Sequence, residues 1–152
     1  EMIEAVGQNH LSTFFRCVDK LLVTEGIFVM QAITMPDARY PTYVKSADFL
    51  NTIIFPGGCC PSLSALLTAM ANESTLHLEN VVNTNLQYAE TLRQWRVRFN
   101  QAFPRVVELG FNVQFMRLWN LYLAYCEAGF KAQVINLQVL SFLFVTYLYL
   151  PI

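Results

Sequence analysis

Apolar residues between Ser12 and Leu22 fall at Phe14, Phe15, Val18, Leu21 and Leu22, a spacing of i, i+1, i+4, i+7 and i+8 that lines one side of a helix. The pattern predicts an amphipathic helix that stops before Glu25 and Gly26. The run Ile27 to Ile33 is short, continuous and bounded by turn residues, so it reads as a strand buried on both faces. A helix feeding a buried strand is a unit of a parallel sheet, and the strand entering that helix is expected to end near Met2 to Glu4, which places the start of the chain inside a sheet. Farther on, Tyr88, Leu92, Trp95 and Phe99 predict a helix from about Asn85 to Phe103, with Arg93, Arg96 and Asn100 turned elsewhere. Phe111, Phe115, Leu118, Tyr122 and Tyr125 predict another from Phe111 to Ala128, with Gly129 as its stop. No charge occurs after Lys131, yet Gln133, Asn136, Gln138, Ser141 and Thr146 interrupt the apolar run, and Val134, Ile135, Val139 and Val145 favour strand. A buried terminal strand pair or hairpin is expected there rather than a membrane span.

Between the first strand and the long helices the periodicity breaks down. Met35 to Asp48, with Pro36 and Pro41, reads as an irregular excursion over one end of the sheet. Ile53-Ile54-Phe55, a short apolar run expected to belong to the core, then opens into Pro56-Gly57-Gly58-Cys59-Cys60-Pro61. Proline fixes φ and glycine opens dihedrals closed to other residues, so this segment reads as a rigid wall. Pro61 is expected in the first turn of a helix that carries Leu63, Leu66, Leu67 and Met70.

Composition changes this picture in one respect. Of 152 residues, 55% are hydrophobic and 14% charged, where a soluble domain carries about a quarter charged residues. One domain with a real core is expected, with apolar surface left for a further part of the same domain, a lipid-shaped cavity or a membrane surface. A formal net charge of −1 gives no reason to expect nucleic acid. Cys17, Cys59, Cys60 and Cys126 lack the spacing of a metal site or redox pair and read as free thiols in a reducing compartment, while His10 and His77 are isolated, so no metal is expected. No secretory leader is read at the first residues. Arg93, Arg96, Arg98 and Arg105 form the densest basic group, a solvated helix face or a contact for lipid headgroups.

Three residues stand out as candidate chemistry. Glu4, expected at the carboxyl end of a buried strand, lies where open α/β sheets place ligands, but taken by itself reads more readily as a capping or ion-paired glutamate. Gln31 interrupts an apolar strand, and a buried amide needs partners whether or not it serves a site. Tyr88 opens an aromatic stripe and is either a core residue or a hydroxyl aimed at a ligand. Cys59 and Cys60 read as packing residues of the loop wall.

Met2-Ile3-Glu4-Ala5-Val6-Gly7, Phe28-Val29-Met30-Gln31-Ala32-Ile33, the IFPGG loop, Tyr88-Ala89-Glu90-Thr91-Leu92-Arg93-Gln94-Trp95 and Tyr122-Leu123-Ala124-Tyr125-Cys126-Glu127-Ala128-Gly129-Phe130 follow one another in register. Together, from Glu1 to about Ser141, they resemble the C-terminal portion of the cyclopropane-fatty-acyl-phospholipid synthases and mycolic acid cyclopropane synthases. The MIEAVG and FVMQAIT forms are most similar to plant and other eukaryotic members. The resemblance implies an α/β chain that is the C-terminal part of a single Rossmann-like, S-adenosylmethionine-dependent methyltransferase domain, with the front half of the sheet and the main donor-binding motifs before residue 1. It implies alkylation of the double bond of a phospholipid acyl chain to a cyclopropane, with S-adenosyl-L-methionine and a bicarbonate ion, by a cytoplasmic protein peripheral at the membrane. By that correspondence the ion's ligands are Glu4, Gln31, the backbone at Ile33, and Tyr88, with an upstream cysteine. Many bacterial members have histidine where Gln31 stands, and glutamine cannot become charged. Residues 1–152 alone are expected to be inactive. A methyl or methylene branch is the alternative product, a non-catalytic remnant that binds an apolar ligand the alternative role, and a membrane-inserted helical protein a third reading resting only on the uncharged tail.

Overall fold

In the computed structural model, which describes residues 1–144, a single turn α1 (Ile3–Val6) leads through a 3₁₀ turn at Gln8–His10 into α2 (Leu11–Leu21). Most of the stripe read from the sequence buries: Phe15 is fully inaccessible, and Phe14, Val18 and Leu22 pack beside it, while Leu21, at the end of α2, is 83% exposed. β1 (Ile27–Thr34), the short turn α3 (Tyr40–Tyr43), a π turn at Leu50–Ile54, α4 (Leu63–Glu73) and β2 (Leu76–Asn83) follow. With residues 138–144 these form one compact unit, and Thr84–Leu137 forms a second.

In the first unit α2 and α4 lie together over one face of a three-stranded sheet whose order is β1-β3-β2, where β3 is Asn136–Phe144. β2 and β3 run antiparallel, from Leu76 opposite Phe144 to Asn83 opposite Gln138, with the register shifting between Leu78 and Asn80. The Phe144 N–H donates to the Gly26 carbonyl at 3.3 Å, and the Thr34 hydroxyl donates to Gln138 at 2.8 Å, so β1 and β3 also run in opposite directions. Gln138 donates in turn to Asn83 at 2.9 Å, which ties the three strands with one polar row inside the sheet. Phe142 fills the interior, edge to face with Phe15 at 5.9 Å and stacked on Phe28 at 5.7 Å. Each such fully buried ring contributes about 2–3 kcal/mol of hydrophobic stabilisation.

Several expectations need correction. β1 is not buried on both faces: Met30, Ala32 and Thr34 face the core, while Ile27 is 64% and Val29 55% exposed and Gln31 lies open beside them. α2 and α4 cover one face of β1, and the parallel neighbour expected for it is not among the described residues. The apolar run at Ile53-Ile54-Phe55 is not core either, because the π turn carries Ile53 and Phe55 outward. Pro61 precedes α4 rather than entering it, and the cap is Ser62, whose hydroxyl accepts from the Ala65 N–H at 3.2 Å. The terminal strand exists, but it pairs with β1 and β2 rather than forming a hairpin of its own, and the rest of that tail, residues 145–152, lies outside the described residues.

In the second unit α5 (Asn85–Gln101), α6 (Phe103–Glu108) and α7 (Val113–Lys131) make a helical hairpin in which α5 packs along α7. Phe111, Phe115 and Trp119 stack in series at 4.4 and 5.6 Å, and Asn100 and Asn120 exchange amide hydrogen bonds at 2.7 and 2.8 Å. Arg96 does not turn away as expected. Its Nη2 lies 3.0 Å from the carboxylate of Glu127, which is 7% exposed and also holds Lys131 at 2.6 Å. Gly129 does not end α7; it sits two residues inside it, where a Cβ would come within 3.2 Å of Ile135. The need there is space, not a left-handed turn.

Candidate active site

The site grows from α1. Glu4 is not at a strand end, as expected, but half-buried in a single helical turn closed by the Ala5 N–H on the Met2 carbonyl at 3.0 Å. That turn aims the side chain at β1, where Oε1 accepts the backbone N–H of Ile33 at 2.6 Å. A charged acceptor on a backbone amide makes one of the stronger hydrogen bonds of a protein interior. Gln31 lies two residues earlier and therefore on the same side of the strand, and its Nε2 donates to Glu1 at 3.0 Å. Because Gln31 is exposed, its amide is not a core group in search of a partner, which corrects the buried reading.

The proline–glycine segment closes over the other side of Glu4. The Cys59 N–H donates to the Glu4 carbonyl at 2.8 Å, and the Met35 N–H donates to the Pro61 carbonyl at 2.9 Å, so the loop is pinned to α1 and to the end of β1. Glycine is required here: Gly57 has φ of 82°, and a Cβ at Gly58 would meet the Phe55 carbonyl at 3.0 Å and the Glu4 carbonyl at 3.8 Å. The Cys60 N–H donates to the Tyr43 hydroxyl at 3.1 Å. Burial pushes the Tyr43 hydroxyl above its ordinary range, and burial first, then the nearby Glu4 charge, pushes the Cys60 thiol up to about 12. Burial also raises Cys59, so both thiols are held in the unreactive protonated form, as the packing role requires. An open cavity of about 390 Å³ beside this wall is lined by Gly7, His10, Tyr43, Asn51, Gly58 and Cys59. A larger one of about 640 Å³, at the starts of α2 and α4, contains none of the four expected site residues.

Tyr88 belongs to the second unit, in the first turns of α5. Its ring meets Phe130 edge to face at 4.9 Å and Trp95 at 6.0 Å. Of the four expected residues, then, Glu4 and Ile33 are joined directly, Gln31 shares their strand face, and Tyr88 is fixed by aromatic packing within its own unit. Neither the bond of Cys59 to the Glu4 carbonyl nor that of Cys60 to Tyr43 was foreseen. Tyr43 lies in the proline-rich excursion, seventeen positions from Cys60, and no local spacing announces that pairing.

Among the described residues no group of three His, Cys, Asp or Glu side chains is placed to hold a metal ion, and no helix is long and apolar enough to cross a membrane.

The chain is 39% identical over 132 residues to the tuberculostearic acid methyltransferase UfaA1 of Mycobacterium tuberculosis, covering 87% of this chain and 31% of that protein. It is 32% identical over 141 residues to the cyclopropane-fatty-acyl-phospholipid synthase of Escherichia coli K12, covering 93% of this chain and 35% of that one. The fold matches that of the cyclopropane synthase MmaA2 from Mycobacterium tuberculosis with a TM-score of 0.81 at 19% identity, over 93% of this chain and 52% of that one. It matches the mycolic acid cyclopropane synthase CmaA1 complexed with SAH and CTAB with a TM-score of 0.82 at 21% identity, over 94% and 53%. The chain thus spans about a third of the length of these curated relatives and about half of the solved structures. Its α/β fold is that of the cyclopropane synthases, and since the sequence model described as mycolic acid cyclopropane synthetase matches residues 1–140, the chain belongs to that family.

Proposed function

We propose that this chain is the C-terminal portion of a single S-adenosylmethionine-dependent methyltransferase domain that alkylates the double bond of an unsaturated phospholipid acyl chain and leaves a cyclopropane ring. The observation that carries the reading is the Glu4 carboxylate on the Ile33 amide at 2.6 Å, behind a loop whose positive φ at Gly57 and close approach at Gly58 favour glycine. S-adenosylmethionine supplies the methyl group, and the donor contacts are assigned to the length of the relatives that this chain does not span. Attack of the alkene on a methyl group leaves a carbocation, and closing the ring releases a proton, so a base must stand within hydrogen-bond reach. A bound bicarbonate ion supplies that base.

The residues present suit such an ion. The Glu4 carboxylate is an acceptor for an O–H and the Gln31 amide can donate or accept, while the Ile33 N–H, which donates to Glu4 in this structure, would reach the ion in exchange for that bond. Tyr88 is assigned to the ion by the family correspondence alone; within its own unit its ring packs edge to face on Trp95 and Phe130. Glu4 and the Ile33 backbone would orient the ion. The protein works at the surface of the membrane that holds its substrate.

A second reading has one observation in its favour. The relative at 39% identity is named as a tuberculostearic acid methyltransferase, so a methyl or methylene branch at the same alkene is the alternative product. Both begin with the same transfer and differ in how the cation is quenched. Lipids from cells making the full-length protein, fed a donor with a deuterated methyl group, separate them. An acyl chain heavier by one CD2 and without an alkene is the ring, one of the same mass that keeps an alkene is the methylene branch, a saturated chain two hydrogens richer is the methyl branch, which also needs a hydride donor, and unlabelled acyl chains would overturn both readings.

A further inference from the structure

The charge of this chain is divided unevenly. Residues 84–137 carry six Lys and Arg against three Asp and Glu, while the remaining residues carry four against eight. Within the second unit the ion pairs Arg93–Glu90, Arg96–Glu127 and Lys131–Glu127 use two of the three carboxylates and engage neither Arg98, Arg105 nor Arg117. These three arginines are exposed and flank the connection between α5 and α7, where Glu108 is the one acidic residue in 101–117.

That connection is apolar where connections are ordinarily polar. Every residue of 101–114 except Val106 is exposed. Among them are Phe103 and Val107, one turn apart on α6, then Leu109 at 70%, Phe111 and Val113. Phe111 is held in place by its stack on Phe115, so the tip presents rigid apolar groups. Both cavities described above lie in the other unit, and the tip itself offers protruding side chains.

We infer that the tip of the helical hairpin, residues 102–113, docks on an anionic phospholipid bilayer, sinking Leu109 and Phe111 below the headgroups while Arg98, Arg105 and Arg117 engage their phosphates. The inference rests on the lipid reading above and names the surface that reading requires. Apolar groups ringed by cations match the bilayer boundary, where phosphates overlie hydrocarbon. Long arginine stems keep the charge at phosphate level while the apolar groups enter.

The test is sedimentation of the full-length protein with sucrose-loaded vesicles, either phosphatidylcholine alone or with roughly a third phosphatidylglycerol. The protein is expected to favour the anionic vesicles and to lose that preference in high salt. Arg105→Glu with Arg117→Glu should weaken binding to anionic vesicles about 30-fold and change binding to neutral ones little. Leu109→Ser with Phe111→Ser should weaken binding to both by on the order of 10-fold. Arg105→Lys with Arg117→Lys should bind like the parent, a check that does not depend on tolerance of the glutamates. Unchanged vesicle binding in the folded variants would overturn the inference. So would a smaller sedimenting mass in the serine variant, which would mean that a second copy covers the tip. Vesicle binding without methyl transfer would leave this inference standing and remove the catalytic reading instead.

Discussion

At the scale of the residue, the proposal rests on groups whose bonds are individually replaceable. Tyr88→Phe keeps the ring on Phe130 and Trp95 and removes only the hydroxyl. If that hydroxyl helps hold the ion, losing a hydrogen bond to a charged group costs about 1.5–3 kcal/mol, or about one to two decades in methyl transfer, partly restored by added bicarbonate. Unchanged turnover in bicarbonate-depleted buffer would return Tyr88 to packing alone. Gln31 makes a different test. It does not ionise, so Gln31→His introduces a group titrating near pH 6.5, and turnover should acquire a limb between about pH 5.5 and 7.5 that the parent lacks. Profiles that superimpose would place residue 31 outside the proton path. Tyr43→Phe removes the acceptor of the Cys60 N–H and is expected to lower stability by about 1 kcal/mol, read as a shift in melting midpoint. Glu4 stood out in the sequence as a carboxylate near a sheet, whereas its bond to Ile33 spans 29 positions and has no local signature.

At the scale of the element, periodicity was a good guide where one face of a helix meets a core. α2 and α5 lie within about two residues of their expected bounds, because the middle of each apolar stripe, at Phe15 and Leu92, is buried, although Leu21 and Trp95 are exposed. The same signal misled at β1, where an unbroken apolar run reads as two-sided burial although one face is open. It misled again at Gly129, which has the composition of a helix stop but serves the approach of Ile135. β2 escaped notice because Leu76 to Asn83 mixes His, Glu and Asn with its apolar residues, and pairing with β3 makes it a strand. The hairpin of α5 and α7 carries an element-scale prediction. Lys131 first, then Arg96, holds the Glu127 carboxyl below the usual glutamate range. A carboxyl depressed in the folded state adds stability above its unfolded pKa of about 4.5, and that stability disappears as pH falls through the folded value. Glu127→Gln should therefore destabilise the protein by about 2 kcal/mol at neutral pH and by progressively less below pH of about 4.5, in melts taken across that range. A constant difference at all pH values would contradict the ion-pair account.

At the scale of the whole molecule, β1 is an outer strand of the sheet among the described residues, with Glu4 on its Ile33 N–H. β1 presents Ile27 and Val29 outward at the border of the sheet, and an uncovered apolar edge strand pairs readily with other chains. Residues 1–152 expressed alone are expected to aggregate, as seen by size-exclusion chromatography with light scattering; a monodisperse, cooperatively melting monomer would contradict this. The family and the α/β class were legible in five short segments because their residues turn tightly, pair and pack in fixed ways, while the pinning of the loop wall on Glu4 needed the folded chain. The account turns on that glutamate. Glu4→Gln keeps an oxygen able to accept the Ile33 N–H, so the local fold should survive while the charge is lost. The deciding measurement is transfer of a deuterated methyl group to unsaturated phospholipid by the full-length protein and by its Glu4→Gln variant, matched in melting temperature. Labelled lipid from the parent, and a rate lower by about two decades in the variant, is the predicted result. Equal rates in the two proteins, or no labelled lipid from the parent, would contradict it.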